Sequence, residues 1–154
     1  MSTCGIVDKI YEYAEFDLQV NLAISLHAPN DEIRNQIMPV NRAYPVAKLL
    51  EAIRYYIERT NRRVTIEYIL LRGINDSLEC ADMLADLLHG LNAYVNLIPY
   101  NEVIEKPYKR SERETMLQFF DHLKKRRLNV QLRREQGGDI DAACGQLRSK
   151  HLKN

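Results

Sequence analysis

The sequence predicts an α/β protein: a parallel sheet with βα repeats. Three observations carry that expectation. Four runs read as strands, "LQVNLAISL" (18–26), "RVTIEYILL" (63–71), "AYVNLIPY" (93–100) and "NVQLRRE" (129–135). The first three are rich in branched and aromatic residues and nearly continuous in apolar character, as strands covered on both faces tend to be. The segments between them place apolar residues at helical spacing, and the two patterns alternate as α, β, α, α, β, α, β, α, β, an order that implies βαβ units.

Each element has a local reason. A helix over 6–15 opens the chain and precedes the first strand. A short helix over 31–38 is capped by Asn30 and stopped by Pro39. The helix over 46–57 follows Pro45 and puts Val46, Leu49, Leu50, Ile53 and Ile57 on one stripe. The helix over 77–89 repeats the pattern with Ala81, Leu84, Ala85 and Leu88, which makes Cys80 a core residue; Asp76 is the expected cap and Gly90 the stop. The helix over 112–126 carries Met116, Phe119, Phe120 and Leu123, behind a capping box of Ser111 and Glu114. The polar loop "NEVIEKPYKR" (101–110) is the longest connection.

The chain has 154 residues, 45% of them apolar and 28% charged, which fits one soluble domain. No run approaches the roughly 18 apolar residues of a membrane span. The N-terminus lacks the basic start and apolar core of a signal peptide, so no membrane association and a cytoplasmic location are expected. Three cysteines far apart, Cys4, Cys80 and Cys144, are neither a disulfide framework nor a metal nest. Charge is uneven: residues 1–105 carry 9 basic and 15 acidic side chains, residues 106–154 carry 13 and 6. The basic half suits phosphate contacts and is equally what a solvated helix face looks like.

Right-handed crossovers set all strand C-termini on one edge, where α/β proteins bind ligands. That edge carries Ser25, Leu26 and His27 after the first strand, and Tyr100 and Asn101 after the third. Ser25 and His27 serve equally well as backbone partners at a strand end, and Asn101 as a turn residue. Cys144, in "GGDIDAACGQL" (137–147), follows Gly137 and Gly138 and sits among Ala142, Ala143 and Gly145, so another molecule can approach its sulfur. It is a candidate nucleophile; a small buried hydrophobe is the other reading.

"NLAISLHAPNDEIRNQIMPVNRAYP", "VTIEYILLRGINDS", "VNLIPYN" and "LRREQGGDIDAACGQLR" together resemble the C-terminal half of the radical S-adenosylmethionine (SAM) RNA methyltransferases of the RlmN and Cfr type, and are closer to RlmN. The resemblance covers Ser2 to about Arg148. It implies the C-terminal part of a partial, TIM-like (β/α) barrel, with residues 1–154 one portion of a radical SAM core and 136–154 a tail carrying Cys144. It implies methylation of adenine C2 in large-subunit ribosomal RNA and in transfer RNA. Cys144 matches the cysteine that becomes S-methylated and carries the methyl group. Ser2, Ser25, Leu26, His27 and Asn101 match SAM-contacting positions. The implied cofactors are SAM and a [4Fe-4S] cluster, and the implied partners are ribosomal RNA, transfer RNA, an electron donor and the N-terminal half. The cluster motif C-x3-C-x2-C is absent from these residues. The resemblance places it in a segment before Met1, together with the accessory domain. The chain is therefore expected to be half of such an enzyme, inactive alone. The alternative is an inactive remnant, or an RNA-binding subunit that needs a separate cluster-bearing chain; an unrelated α/β thiol enzyme is a third reading.

Overall fold

The side chains of each strand alternate between a packed face and a more open one, and this alternation organises the molecule. The structure, a computed structural model, describes residues 2–15 and 21–133. Cys144 and the tail 136–154 lie outside the described residues.

Five strands form one sheet in chain order: β1 (Ser2–Thr3), β2 (Leu22–Ser25), β3 (Val64–Leu70), β4 (Ala93–Pro99) and β5 (Asn129–Leu132). Every pairing is parallel. Between them run α1 (Val7–Glu15), α2 (Asp31–Ile37), a 3-10 turn over Pro39–Arg42, α3 (Val46–Thr60), α4 (Leu78–Leu88) and α5 (Arg113–Lys125). Since each strand lies beside its predecessor, right-handed crossovers bring all the helices to the same face. The core is there. Ile24, Ile66, Tyr68, Leu70, Val95 and Leu97 point from the strands into Ile10, Leu49, Ile53, Leu84, Phe119 and Leu123 of the helices. The ring centroids of Tyr68 and Phe119 lie 5.3 Å apart, an offset aromatic pair within the core.

The opposite face differs from the sequence expectation. The strands are not buried on both sides: β2, β3 and β4 alternate strictly between buried and half-buried residues. Ala23, Ile69, Tyr94 and Ile98 keep the runs looking continuous in sequence, yet their face also carries polar side chains. Ser25, Glu67, Asn96 and Gln131 are in register across four adjacent strands and form one polar row. A parallel sheet normally buries both faces, so a polar, half-open face marks a surface for ligand or for further protein.

Two caps also differ. The cap of α4 is Ser77, whose hydroxyl accepts from the Cys80 N–H at 3.1 Å, because the Asp76 carboxylate is occupied elsewhere. It accepts from the Gly73 N–H at 3.0 Å and from the Ser111 hydroxyl at 2.7 Å. With Ser111 thus engaged, α5 starts after Glu112 and has no side-chain cap. Asn30 caps α2 as expected, accepting from Ile33 N–H at 2.9 Å. Gly90 ends α4 at φ +80°, a conformation that glycine adopts without steric cost. Cys80 is buried in the core.

Candidate functional site

The C-terminal edge of the sheet is built from the end of β2. The Leu26 N–H continues the ladder by donating to the Glu67 carbonyl at 3.0 Å, and the Leu26 side chain enters the core, fully buried. His27 then turns the chain at φ +59°, a left-handed conformation uncommon for a residue with a β-carbon. Three contacts hold it there. Its N–H donates to the Glu67 carbonyl at 3.3 Å, its Nδ1 accepts from the Ile69 N–H at 3.0 Å, and its carbonyl accepts from the Asn75 amide at 2.8 Å.

These contacts fix the chemistry of the imidazole. The Ile69 amide can only donate, so Nδ1 carries the lone pair and the proton of the neutral ring sits on Nε2. Burial, and secondarily the nearby Arg34 charge, lower the His27 pKa from 6.5 to about 4. At neutral pH His27 therefore offers a fixed N–H donor rather than a cation.

Two buried residues frame this corner. Asn75 bonds the Ile69 carbonyl at 2.7 Å as well as that of His27, and its Oδ1 accepts from the Leu71 N–H at 2.7 Å, so it ties the ends of β2 and β3 together. Arg34 is wholly buried and spends its guanidinium on backbone carbonyls: Leu26 at 2.9 Å, Cys4 at 2.8 Å and Ser25 at 3.1 Å, with Asn41 Oδ1 at 2.9 Å. It thereby joins the end of β1 to the end of β2. Gly5 makes room for it. A β-carbon at Gly5 would lie 2.8 Å from Arg34 Nη2, and the residue sits at φ +101°.

Beyond the corner lies a cleft of about 320 Å³, lined by His27, Ile69 and Leu71, by Met38 and Pro39 of the turn after α2, and by Tyr100, Lys106 and Tyr108. The loop 101–110 folds back to form its outer wall. Leu71 and Arg110 make an antiparallel bridge, the Arg72 N–H donates to the Lys109 carbonyl at 2.9 Å, and Glu102 accepts from the Arg110 N–H at 2.9 Å. The rings of Tyr100 and Tyr108 meet edge to face at 6.3 Å.

The residues singled out in sequence fall as follows. Ser2 pairs with Ala23 on the neighbouring strand, one row below Ser25, on the same open face. Ser25 and His27 lie at the edge, half-buried, and Asn101 follows β4, exposed. Leu26 presents backbone only. Cys144 lies outside the described residues. Sequence reasoning missed Arg34 and Asn75, whose roles come from partners distant in sequence, and the polar row, which was visible as a period-two alternation in the strands.

The fit to SAM rests on the open face. SAM carries a sulfonium, an ammonium and a carboxylate, and the row of Ser25, Glu67, Asn96 and Gln131 offers one carboxylate flanked by hydrogen-bonding groups. Among the described residues no three of His, Cys, Asp and Glu converge on a metal site, so these residues do not fit an iron–sulfur cluster. No described helix is long and apolar enough to cross a membrane.

No family model matches the chain. It is 62% identical to a probable dual-specificity RNA methyltransferase RlmN of Spiroplasma citri, over 98% of this chain and 43% of that protein. A solved radical SAM methyltransferase of Sphaerobacter thermophilus superposes on 96% of this chain and 43% of its own, with a TM-score of 0.89 and 47% identity. A domain of a pyruvate-formate lyase-activating enzyme of Bacteroides vulgatus shares the fold alone, at TM-score 0.68 and 18% identity. The chain thus spans about two-fifths of the length of the curated relatives it matches. By sequence and by fold together, the chain matches part of an RlmN-type radical SAM methyltransferase.

Proposed function

We propose that the chain contributes the SAM-facing edge and the methyl-carrying cysteine of an RNA methyltransferase that modifies adenine C2 in large-subunit ribosomal RNA and in transfer RNA. The observation that carries this reading is the convergence of Ser25, His27 and Asn101 on one edge of an all-parallel sheet, with Ser2 on its open face. Identity of 62% to a relative named as a dual-specificity RNA methyltransferase supports the substrate class.

Each group has a task. The His27 N–H donates to an acceptor of the bound cofactor without adding a positive charge beside a sulfonium. Ser2, Ser25 and Asn101 supply uncharged hydrogen-bonding groups. Cys144 would accept the methyl carbon that SAM carries on its sulfonium sulfur, with S-adenosylhomocysteine as the leaving group. The neighbours of Cys144 in sequence, Ala142, Ala143 and Gly145, are small. Adenine C2 is electron-poor, so polar attack on a sulfonium methyl would fail there; the cluster of the complete enzyme supplies radical chemistry instead. Its ligands would come from outside these 154 residues, as would the electron donor. The substrates place the enzyme in the cytoplasm.

The test is RNA methylation by an enzyme of the relatives' full length that includes this chain. Nucleoside analysis of the product RNA is expected to give 2-methyladenosine, and Cys144→Ala to abolish it. Methylation at adenine C8 alone would correct the position. Its absence from RNA under reducing, cluster-loaded conditions would overturn the proposal.

A further inference from the structure

The cleft beside His27 is built differently from the polar row. Apart from Gln36, its uncharged walls are aromatic and apolar, with Tyr100 and Tyr108 half-buried so that each ring is partly open. Only His27 among the implied SAM contacts lines it. Its one charged wall residue is cationic, Lys106; in the same folded loop pair stand Arg72 and Lys109, the latter paired with Glu102 at 3.7 Å. SAM carries a net positive charge and is disfavoured beside these groups. A polynucleotide, with a negative charge per phosphate, is favoured. The loop is already anchored by the bonds of Arg72, Glu102 and Arg110, so a ligand entering the cleft has little backbone to order. At the loop's outer end Ile104 is 99% exposed, with Val103 beside it at 39%. An apolar side chain held fully in water next to a basic, aromatic-walled cleft suits a wedge between bases.

We propose that this cleft takes one unstacked base of a single-stranded RNA segment, lying against Tyr100 and Tyr108, while Ile104 fills the gap which that base leaves in its stack. The inference rests on the RNA reading above and adds where and how the strand is gripped. Lys106, in the cleft wall, meets a phosphate.

Fluorescence anisotropy with the 154-residue chain tests this. The probes are an end-labelled single-stranded RNA with one central adenine among uridines, and the same strand with an abasic site at that position. Tyr108→Ala is expected to weaken binding about tenfold, with the slope against salt unchanged, and Tyr108→Phe to restore it. Ile104→Ser, at a residue that touches nothing whose loss would unfold the chain, is expected to weaken it roughly threefold. Tyr108→Ala should not alter binding of the abasic strand, and neither variant should alter SAM affinity measured by calorimetry. If both variants bind the adenine strand as tightly as the unaltered chain, or if Tyr108→Ala loses the abasic strand equally, the cleft is not a base site, although the RNA reading stands. Loss of SAM affinity in Tyr108→Ala would reassign the cleft to the cofactor. An unaltered chain that binds no RNA at moderate salt overturns this inference, while the RNA reading is decided by methylation with an enzyme of the relatives' full length.

Discussion

Replacing Arg34 with methionine is the sharpest test of how the site's edge is held. Methionine approximates the length of the arginine stem, so little volume is lost. What disappears is a guanidinium that makes four hydrogen bonds, three of them to the carbonyls of Cys4, Ser25 and Leu26. Each buried carbonyl left without a donor costs about 1–3 kcal/mol. Removing a buried cation offsets part of that, since its desolvation no longer opposes folding. The net loss is about 3–5 kcal/mol, a large share of the roughly 5–15 kcal/mol that stabilises a domain. Urea unfolding followed by circular dichroism reads it as a lower midpoint. Gly5→Ala supplies the control. Alone it costs stability through the 2.8 Å contact with Arg34 Nη2 and the positive φ. In the Arg34→Met background the contact term vanishes and only the backbone strain remains, so the double variant should be more stable than the sum of the single losses by about 1 kcal/mol or more. Additive losses, or an Arg34→Met midpoint within error of the original, would refute the claim that Arg34 clamps β1 to β2.

Further expectations follow from the same corner. His27 is neutral when folded, with its pKa held near 4 against 6.5 in the unfolded chain, so its contribution is complete above pH 6.5 and lost as pH falls towards 4. The loss amounts to about 3 kcal/mol, and His27→Gln should flatten the stability–pH curve in that window; an unchanged curve would contradict the assignment. Asn75→Ala leaves the His27 and Ile69 carbonyls and the Leu71 amide unpaired and should cost about 3 kcal/mol or more, with accelerated amide exchange at Ile69 and Leu71. The open sheet face and the exposed edge strand β5 predict self-association of the isolated chain; a monodisperse monomer in light scattering at high concentration would argue against it.

The sequence reading captured what is local. Periodicity placed α3, α4 and α5 because Leu49 and Ile53, Leu84 and Leu88, Phe119 and Leu123 repeat at helical spacing. Apolar runs placed β2, β3 and β4. Strand β1 escaped because two residues carry no period. The helix starts slipped by one position because Asp76 and Ser111, the two expected caps, bond each other across 35 positions, which leaves Ser77 to cap α4 and α5 without a side-chain cap. Arg34 was not legible, since nothing near it in sequence announces that two strand ends will present their carbonyls to it. The placement of Ser25, His27 and Asn101 at strand ends was legible, because sheet topology, not side-chain detail, decides where strand ends gather. The polar row was legible too, had the alternation of Ser25, Glu67 and Asn96 been weighed against the apolar residues between them.

The most direct measurement follows the methyl group. An enzyme of the relatives' full length containing this chain, incubated with methyl-labelled SAM and digested, should yield label on the peptide that contains Cys144, and that label should move to adenine when RNA is added. A Cys144→Ala variant that methylates RNA at the original rate, or label that reaches RNA without ever appearing on Cys144, would contradict the account.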